Sequence, residues 1–239
     1  MKFPGRVDLY LLAERLTNLL GISPFEFIAK LLVLFTAMPV HEYSHAAMAV
    51  RLGDETPLRQ GRLTLNPFVH LSALGSIALI FLGFGWANPV MIDTRNFKRP
   101  KRDMALTSIA GPISNIFMAF LALVGVKLII GLNPSIRETS AAYVFLVMLS
   151  YMMQINLWLA VFNLLPVPPL DGSKILAVLL PNRVYNSLLR YERVLSIILV
   201  VLLISGILYV PLYWLSDSVS AMLDFITRPI DWLTGMLRG

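Results

Sequence analysis

The chain has 239 residues, 57% hydrophobic and 14% charged, too few charges for an ordinary soluble domain, where about a quarter of residues carry one. A mean hydropathy of +0.72 marks a polytopic membrane protein. The net charge of +6 lies in short basic segments between apolar runs, the pattern of cytosolic loops, so no nucleic-acid partner is expected, and the lack of cysteine excludes disulfides and thiolate metal sites.

The start, residues 1–6, has neither the apolar core nor the cleavage site of a signal peptide. Residues 7–21 are apolar at helical spacing but carry Asp8, Glu14 and Arg15, which predicts a helix lying in the membrane interface. Ser23-Pro24 starts the next helix, and residues 25–50 form a first span, long enough at ~1.5 Å per residue to cross ~30 Å of hydrocarbon. Glu26 and Lys30 pair near its entry, and Pro39 removes a backbone hydrogen bond and bends the helix before His41. Ala46, Ala47 and Ala49 permit close helix packing after it.

A polar stretch from Arg51 to Arg62 leads into residues 63–93, whose apolar part is short and broken by Gly75, Gly83, Gly85 and Pro89. Arg95, Lys98, Arg99, Lys101 and Arg102 form the densest basic cluster. Spans follow over 104–132 and 141–165 with a short turn between them, then Pro166-Val167-Pro168-Pro169-Leu170-Asp171-Gly172, a basic stretch over 174–193, a further span over 194–215 and an interfacial tail over 217–239. Charge bias places 94–103 and 174–193 in the cytoplasm and the 133–140 turn outside. Nothing repeats internally, so residues 1–239 read as one membrane-embedded domain.

The chemistry sits in Val40-His41-Glu42-Tyr43-Ser44-His45. Two of the three histidines lie four apart, on one helix face, with a glutamate beside them. This is the H-E-x-x-H arrangement, two imidazole ligands for Zn²⁺ with the glutamate as general base. Charged and imidazole groups beyond an uncharged run are costly in a membrane unless they have a partner or a purpose.

A catalytic zinc site needs a third protein ligand. A histidine six residues beyond His45 would fall at Arg51, and residues 60–72 contain no acid. Asp54 and Glu55 read as solvated loop charges and His70 as a hydrogen-bonded structural residue. Asp171 ends a proline-rich break after a span, where Gly172 lets the backbone turn sharply. Taken alone it would be a helix N-cap; beside a histidine pair lacking a ligand, it reads as that ligand. The third ligand requires both ends to meet at one depth, so 63–93 is expected to dip into the membrane and return.

His41-Glu42-x-x-His45 in a span, followed by Asn163-x-x-Pro166-x-Pro168-x-Leu170-Asp171-Gly172, resembles the site-2 protease family of intramembrane zinc metalloproteases. Gly61-Arg62-Leu63-Thr64-Leu65-Asn66-Pro67, Gly85-Trp86-Ala87-Asn88-Pro89-Val90 and Ala110-Gly111-Pro112-Ile113-Ser114-Asn115 look like segments of the same family. The likeness covers roughly residues 25–180 and lacks an inserted peptide-binding domain, as in the compact branch. It implies a helical bundle with a re-entrant, partly extended, β-like loop, and regulated intramembrane proteolysis. His41, His45 and Asp171 would bind zinc and Glu42 would activate water. Asn163, Pro166 and Pro168 would help hold transmembrane protein substrates. Asn115 reads as structural.

A helical substrate hides its carbonyls in internal hydrogen bonds, and the segment holding Trp86 and Asn88 is expected to offer an extended edge to an unwound substrate. The location expected is the plasma membrane of a prokaryote, among its lipids, with the site toward the cytoplasm. The alternatives are an inactive membrane scaffold or chaperone, against which every expected catalytic position is filled, and a metal-ion transporter, for which ligating residues should spread over several spans.

Overall fold

The computed structural model describes residues 24–82, 85–133, 136 and 141–237; the interfacial helix expected over 7–21 lies outside them. The expected first span is a nearly continuous pair of helices, α1 (Pro24–Phe35) and α2 (Ala37–Arg51), separated at Thr36. The break falls one turn before Pro39 for a steric reason: the proline ring presses on the carbonyl four residues earlier, that of Phe35, which also loses its amide partner. Then follow the short helices α3 (Thr56–Arg59), α4 (Pro67–His70) and α5 (Ala73–Leu82). The remaining helices are α6 (Pro100–Leu132), α7 (Ala141–Asn163), α8 (Asp171–Leu179), α9 (Asn182–Arg190), α10 (Glu192–Ile204) and α11 (Tyr209–Met236).

The bundle is assembled on α6, which packs against α2, α7, α8 and α11. Two clusters fill it: Val33, Leu34, Ala37, Met38 and Leu79 between α1, α2 and α5, and Ala119, Leu123, Leu157 and Leu223 joining α6, α7 and α11. Lipid tails are as apolar as leucine, so packing here gains mainly dispersion contacts; fully buried Ala119 and Ala160 let the helix backbones approach. The combined Pro24–Arg51 pair, α6 and α7 are long and apolar enough to cross a membrane. The protein is therefore an all-α polytopic membrane protein.

Residues 63–82 run up beside α2 and α1, and residues 85–93 lie back alongside α2. Lys30 Nζ donates to the Ile80 carbonyl at 3.0 Å, at the middle of α1, and the Asp93 amide donates to Asp54 at 2.8 Å, just beyond α2. The returning limb is extended. Its Ala87 forms an isolated antiparallel bridge with Leu71, and Asn88 donates its backbone N–H to His70 O at 2.7 Å and its side-chain amide to Leu71 O at 2.8 Å. The two limbs touch where Gly75 faces the Trp86 backbone: a Cβ on Gly75 would lie 1.9 Å from the Trp86 carbonyl oxygen. Among the described residues this bridge is the β-like element that the sequence suggests, and no full strand forms.

The C-terminal part differs from the expected span over 194–215 and interfacial tail over 217–239. Helix α10 ends at Ile204, the chain turns at 205–208, and α11 departs at 84° to run along α6 and α7. A cation in the bundle ties α11 to α6. Lys127 of α6 has only 9% of its side chain exposed and is met by Asp224 at 2.9 Å and Asp231 at 2.5 Å, both from α11. A lysine held in an apolar helix requires such partners, so the two aspartates seat the tail against the core. Replacing Lys127 with Met is expected to speed amide exchange across 219–234 while exchange at 41–45 stays as in the wild type, as hydrogen-exchange mass spectrometry would read.

Candidate active site

Helix α2 presents His41 and His45 one turn apart, both buried and turned toward α6. Asp171 arrives from the break between α7 and α8. It is the first residue of α8, whose N-cap is Leu170, and its carboxylate meets His41, His45 and Lys174. The carboxylate is thus spared the capping role that its position suggests. Gly172 serves close approach rather than the sharp turn expected: its φ is not positive, and a Cβ there would sit 2.2 Å from the Leu164 carbonyl oxygen. The Pro168-Pro169 peptide in this break is cis.

Three donor atoms converge. His41 Nε2 and His45 Nε2 are 3.0 Å apart, and Asp171 Oδ2 lies 3.3 Å from the first and 3.1 Å from the second. A tetrahedral cation with bonds of ~2.0–2.1 Å would hold its ligands about 3.3 Å apart. Protonation is fixed from behind. His45 Nδ1 is 2.7 Å from the Thr107 carbonyl, which can only accept, so Nδ1 carries the hydrogen and Nε2 a lone pair. His41 Nδ1 is 2.9 Å from Asn115 Oδ1, which sets the same tautomer. Two imidazole lone pairs and a carboxylate oxygen at this separation repel unless a cation sits between them. The donor set, spacing and tautomers therefore fit zinc. Among the described residues this is the one cluster of three or more such side chains that could hold a metal ion.

The walls belong to the same design. A Cβ on Gly111 of α6 would fall 2.4 Å from His45 Nε2 and 2.6 Å from His41 Nε2, so that helix face must be bare. Lys174 Nζ lies 3.2 Å from Asp171 Oδ1, leaving Oδ2 to face the imidazoles. Glu42 accepts from the Val90 amide through Oε2 at 3.1 Å, an unanticipated tie between the expected general base and the returning limb. The histidines, Asp171, Lys174, Glu42 and Val90 line a cavity of about 440 Å³ that is also lined by Trp86, Asn163 and Leu170 and by Ser196, Leu199 and Leu203 of α10.

The other expected residues separate. Trp86 and Asn163 line the cavity, although the Asn163 amide donates to Leu159 O in its own helix at 2.9 Å. Pro166, Pro168 and Asn88 are not among its lining residues; Pro166 is exposed, Pro168 buried, and the Asn88 side chain is spent on Leu71. His70 stays apart, with Nε2 2.8 Å from Thr64 O. Asn115, expected to be structural, orients a site imidazole, and the Ala110–Asn115 segment that carries it was the available signal. Asp54, expected to be solvated, is fully buried. Burial pushes its carboxyl up, but hydrogen bonds from the Thr56 side chain, Asn96, and the Thr56 and Asp93 amides outweigh this and hold it below its ordinary 3.8.

The comparisons with known proteins agree with this geometry. The model of peptidase family M50 matches residues 126–206, the stretch that carries Asn163 and Asp171. A Bacillus subtilis (strain 168) protein named as a candidate zinc metalloprotease, YwhC, is 37% identical over 217 residues, covering 88% of this chain and 96% of its own. Rip2 of Mycolicibacterium smegmatis, named likewise, is 27% identical over 209 residues, 82% of this chain and 77% of its own. The methanogen protein MJ0611 of Methanocaldococcus jannaschii, also so named, is 27% identical over 157 residues, 65% of this chain and 73% of its own. No solved structure gives a significant match. The chain belongs to peptidase family M50, the zinc-dependent site-2 protease family of membrane metalloproteases.

Asn115→Ala removes the partner that orients His41, and zinc affinity should fall about 10- to 100-fold, measured by competition with a chelator. A second outcome concerns acid. Asp54 has a folded value below its unfolded 3.8, so its contribution is fully present above that pH and is lost as pH falls through the folded value. Amide exchange in 87–93, corrected for the intrinsic rate, should hold constant from pH 7 to about 5 and accelerate only below about pH 4.

Proposed function

We propose that the chain is an intramembrane zinc endopeptidase that hydrolyses peptide bonds in the transmembrane segments of other membrane proteins, with His41, His45 and Asp171 as zinc ligands and Glu42 as general base. The observation that carries this reading is the trio of bare donor atoms 3.0–3.3 Å apart, with a glutamate beside them, inside helices of membrane-spanning length. When bound, zinc polarises a scissile carbonyl and lowers the pKa of water at the centre. The chain's own residues do the rest. Glu42 keeps Oε2 on the Val90 amide and offers Oε1 to receive the proton from the attacking water, then passes it to the leaving amine. Lys174 and the α8 backbone fix Asp171, so the ligand carboxylate does not compete as a base.

Substrate enters as an extended segment. In the returning limb Asn88 turns its N–H toward His70, so the backbone groups of Ala87 point to the opposite edge, and Trp86 and Pro89 line the cavity there. A substrate strand laid along that edge would exchange its lost helical hydrogen bonds for new ones. Asn163 is placed to meet the same segment. The site faces the cytoplasmic side of a prokaryotic plasma membrane. Lys101 donates to Leu180 O at 2.9 Å, which puts the basic start of α6 beside the end of α8, so both positive clusters share one end of the bundle.

Purified protein in lipid nanodiscs, loaded with zinc and given a single-span substrate, should cleave within the span. Glu42→Gln should lower the rate about 10²- to 10⁴-fold while metal analysis finds zinc retained. Cleavage at the wild-type rate by Glu42→Gln would overturn the assignment.

A further inference from the structure

Asp54 is a fully buried carboxylate outside the metal trio. Every donor that meets it is accounted for. Its Oδ1 accepts from the Thr56 amide at 3.0 Å, from the Thr56 hydroxyl and from Asn96 Nδ2 at 2.8 Å; its Oδ2 accepts from the Asp93 amide at 2.8 Å. Its own amide donates to Ala49 O at 2.9 Å, which roots it on the last turn of α2. The two oxygens thus have separate tasks: Oδ1 orders the turn after α2, and Oδ2 grips the returning limb.

That grip lies three residues from Val90, whose amide holds Glu42, and Glu42 is itself on α2. Helix α2, Asp54, residues 90–93 and Glu42 therefore form a closed circuit. The limb is pinned to α2 at two places, one by a buried carboxylate and one by the general base. On the far side of Val90 it is pinned again by Asn88 to His70 and Leu71. An extended segment fastened on both sides cannot rotate, so the Val90 N–H is fixed in direction.

We propose that Asp54 is a positioning residue for the hydrolytic step: by holding Asp93 it aims the Val90 amide at Glu42 and so fixes where the general base stands. This rests on the peptidase reading of the site. The chemistry gives a selective variant. In Asp54→Asn the amide oxygen can replace Oδ1 and keep the turn, while the NH₂ group meets the Asp93 N–H donor-to-donor and that single link is lost.

The test uses the full chain in nanodiscs with zinc and a single-span model substrate. Asp54→Asn should keep wild-type zinc content, lower kcat about tenfold and leave KM within about twofold. It should also speed amide exchange in peptides spanning 86–93 about tenfold, with 41–45 unchanged. A kcat equal to the wild type overturns the proposal, as does a fall in kcat matched by equal loss of zinc or of folded protein, or a change confined to KM. If Asp54→Asn does not accumulate, Thr56→Val and Asn96→Leu each remove one donor that steadies the carboxylate. Each should cost about threefold in kcat with zinc retained, and wild-type rates in both overturn the proposal. If the zinc-loaded wild type cuts no substrate, the peptidase reading fails; exchange at 86–93 still decides whether Asp54 holds the limb, and unchanged exchange defeats that part by itself.

Discussion

Two imidazole nitrogens and a carboxylate oxygen, each stripped of hydrogen and set about one tetrahedral edge apart, are the arrangement on which the rest of this protein depends. In water such a cluster would be dispersed by hydration and repulsion. Within a membrane bundle it survives because each member is held from behind: His45 by the Thr107 carbonyl, His41 by Asn115, and Asp171 by Lys174. Two of these supports come from α6, which explains why that helix is the hub of the bundle. It also explains why α6 presents a glycine at the contact, since the space a methyl group would need is occupied by the rings.

Under the proposed peptidase reading, a metal centre inside helices poses a second problem, because a helical substrate has no free backbone to present. The extended residues 85–93, tied to the histidine helix through Val90 and Glu42, would answer it. Unpaired backbone is costly in that setting, and the limb spends its polar groups carefully: one edge bonds to His70 and Leu71, and the Val90 amide bonds to Glu42. The remaining edge borders the cavity. Glu42 and the extended limb are thereby tied into one piece, and Asp54 fastens that piece just beyond α2.

The same economy governs the C-terminal helix. Lys127, near the C-terminal end of α6, is the one cation of that helix beyond its first turn, and its two partners lie 97 and 104 residues away. Pairing across that distance ties one face of α11, through Asp224 and Asp231, to the bundle. Helix α10, left with few partners, stands over the cavity.

The sequence by itself determined the membrane class, the positions of the first three long spans and the pairing of His41, Glu42 and His45, because hydropathy and helical periodicity are local properties. It also singled out Asp171, through the proline break and the missing third ligand. What it read wrongly was decided by contacts between distant segments. Asp54 looks like a loop charge until Asp93 and Asn96 close over it. Asn115 looks structural until His41 turns its Nδ1 toward it, and nothing local to the tail shows that two of its acids meet Lys127. Burial and hydrogen-bond partnership are properties of the packed chain, and no window of neighbouring residues contains them.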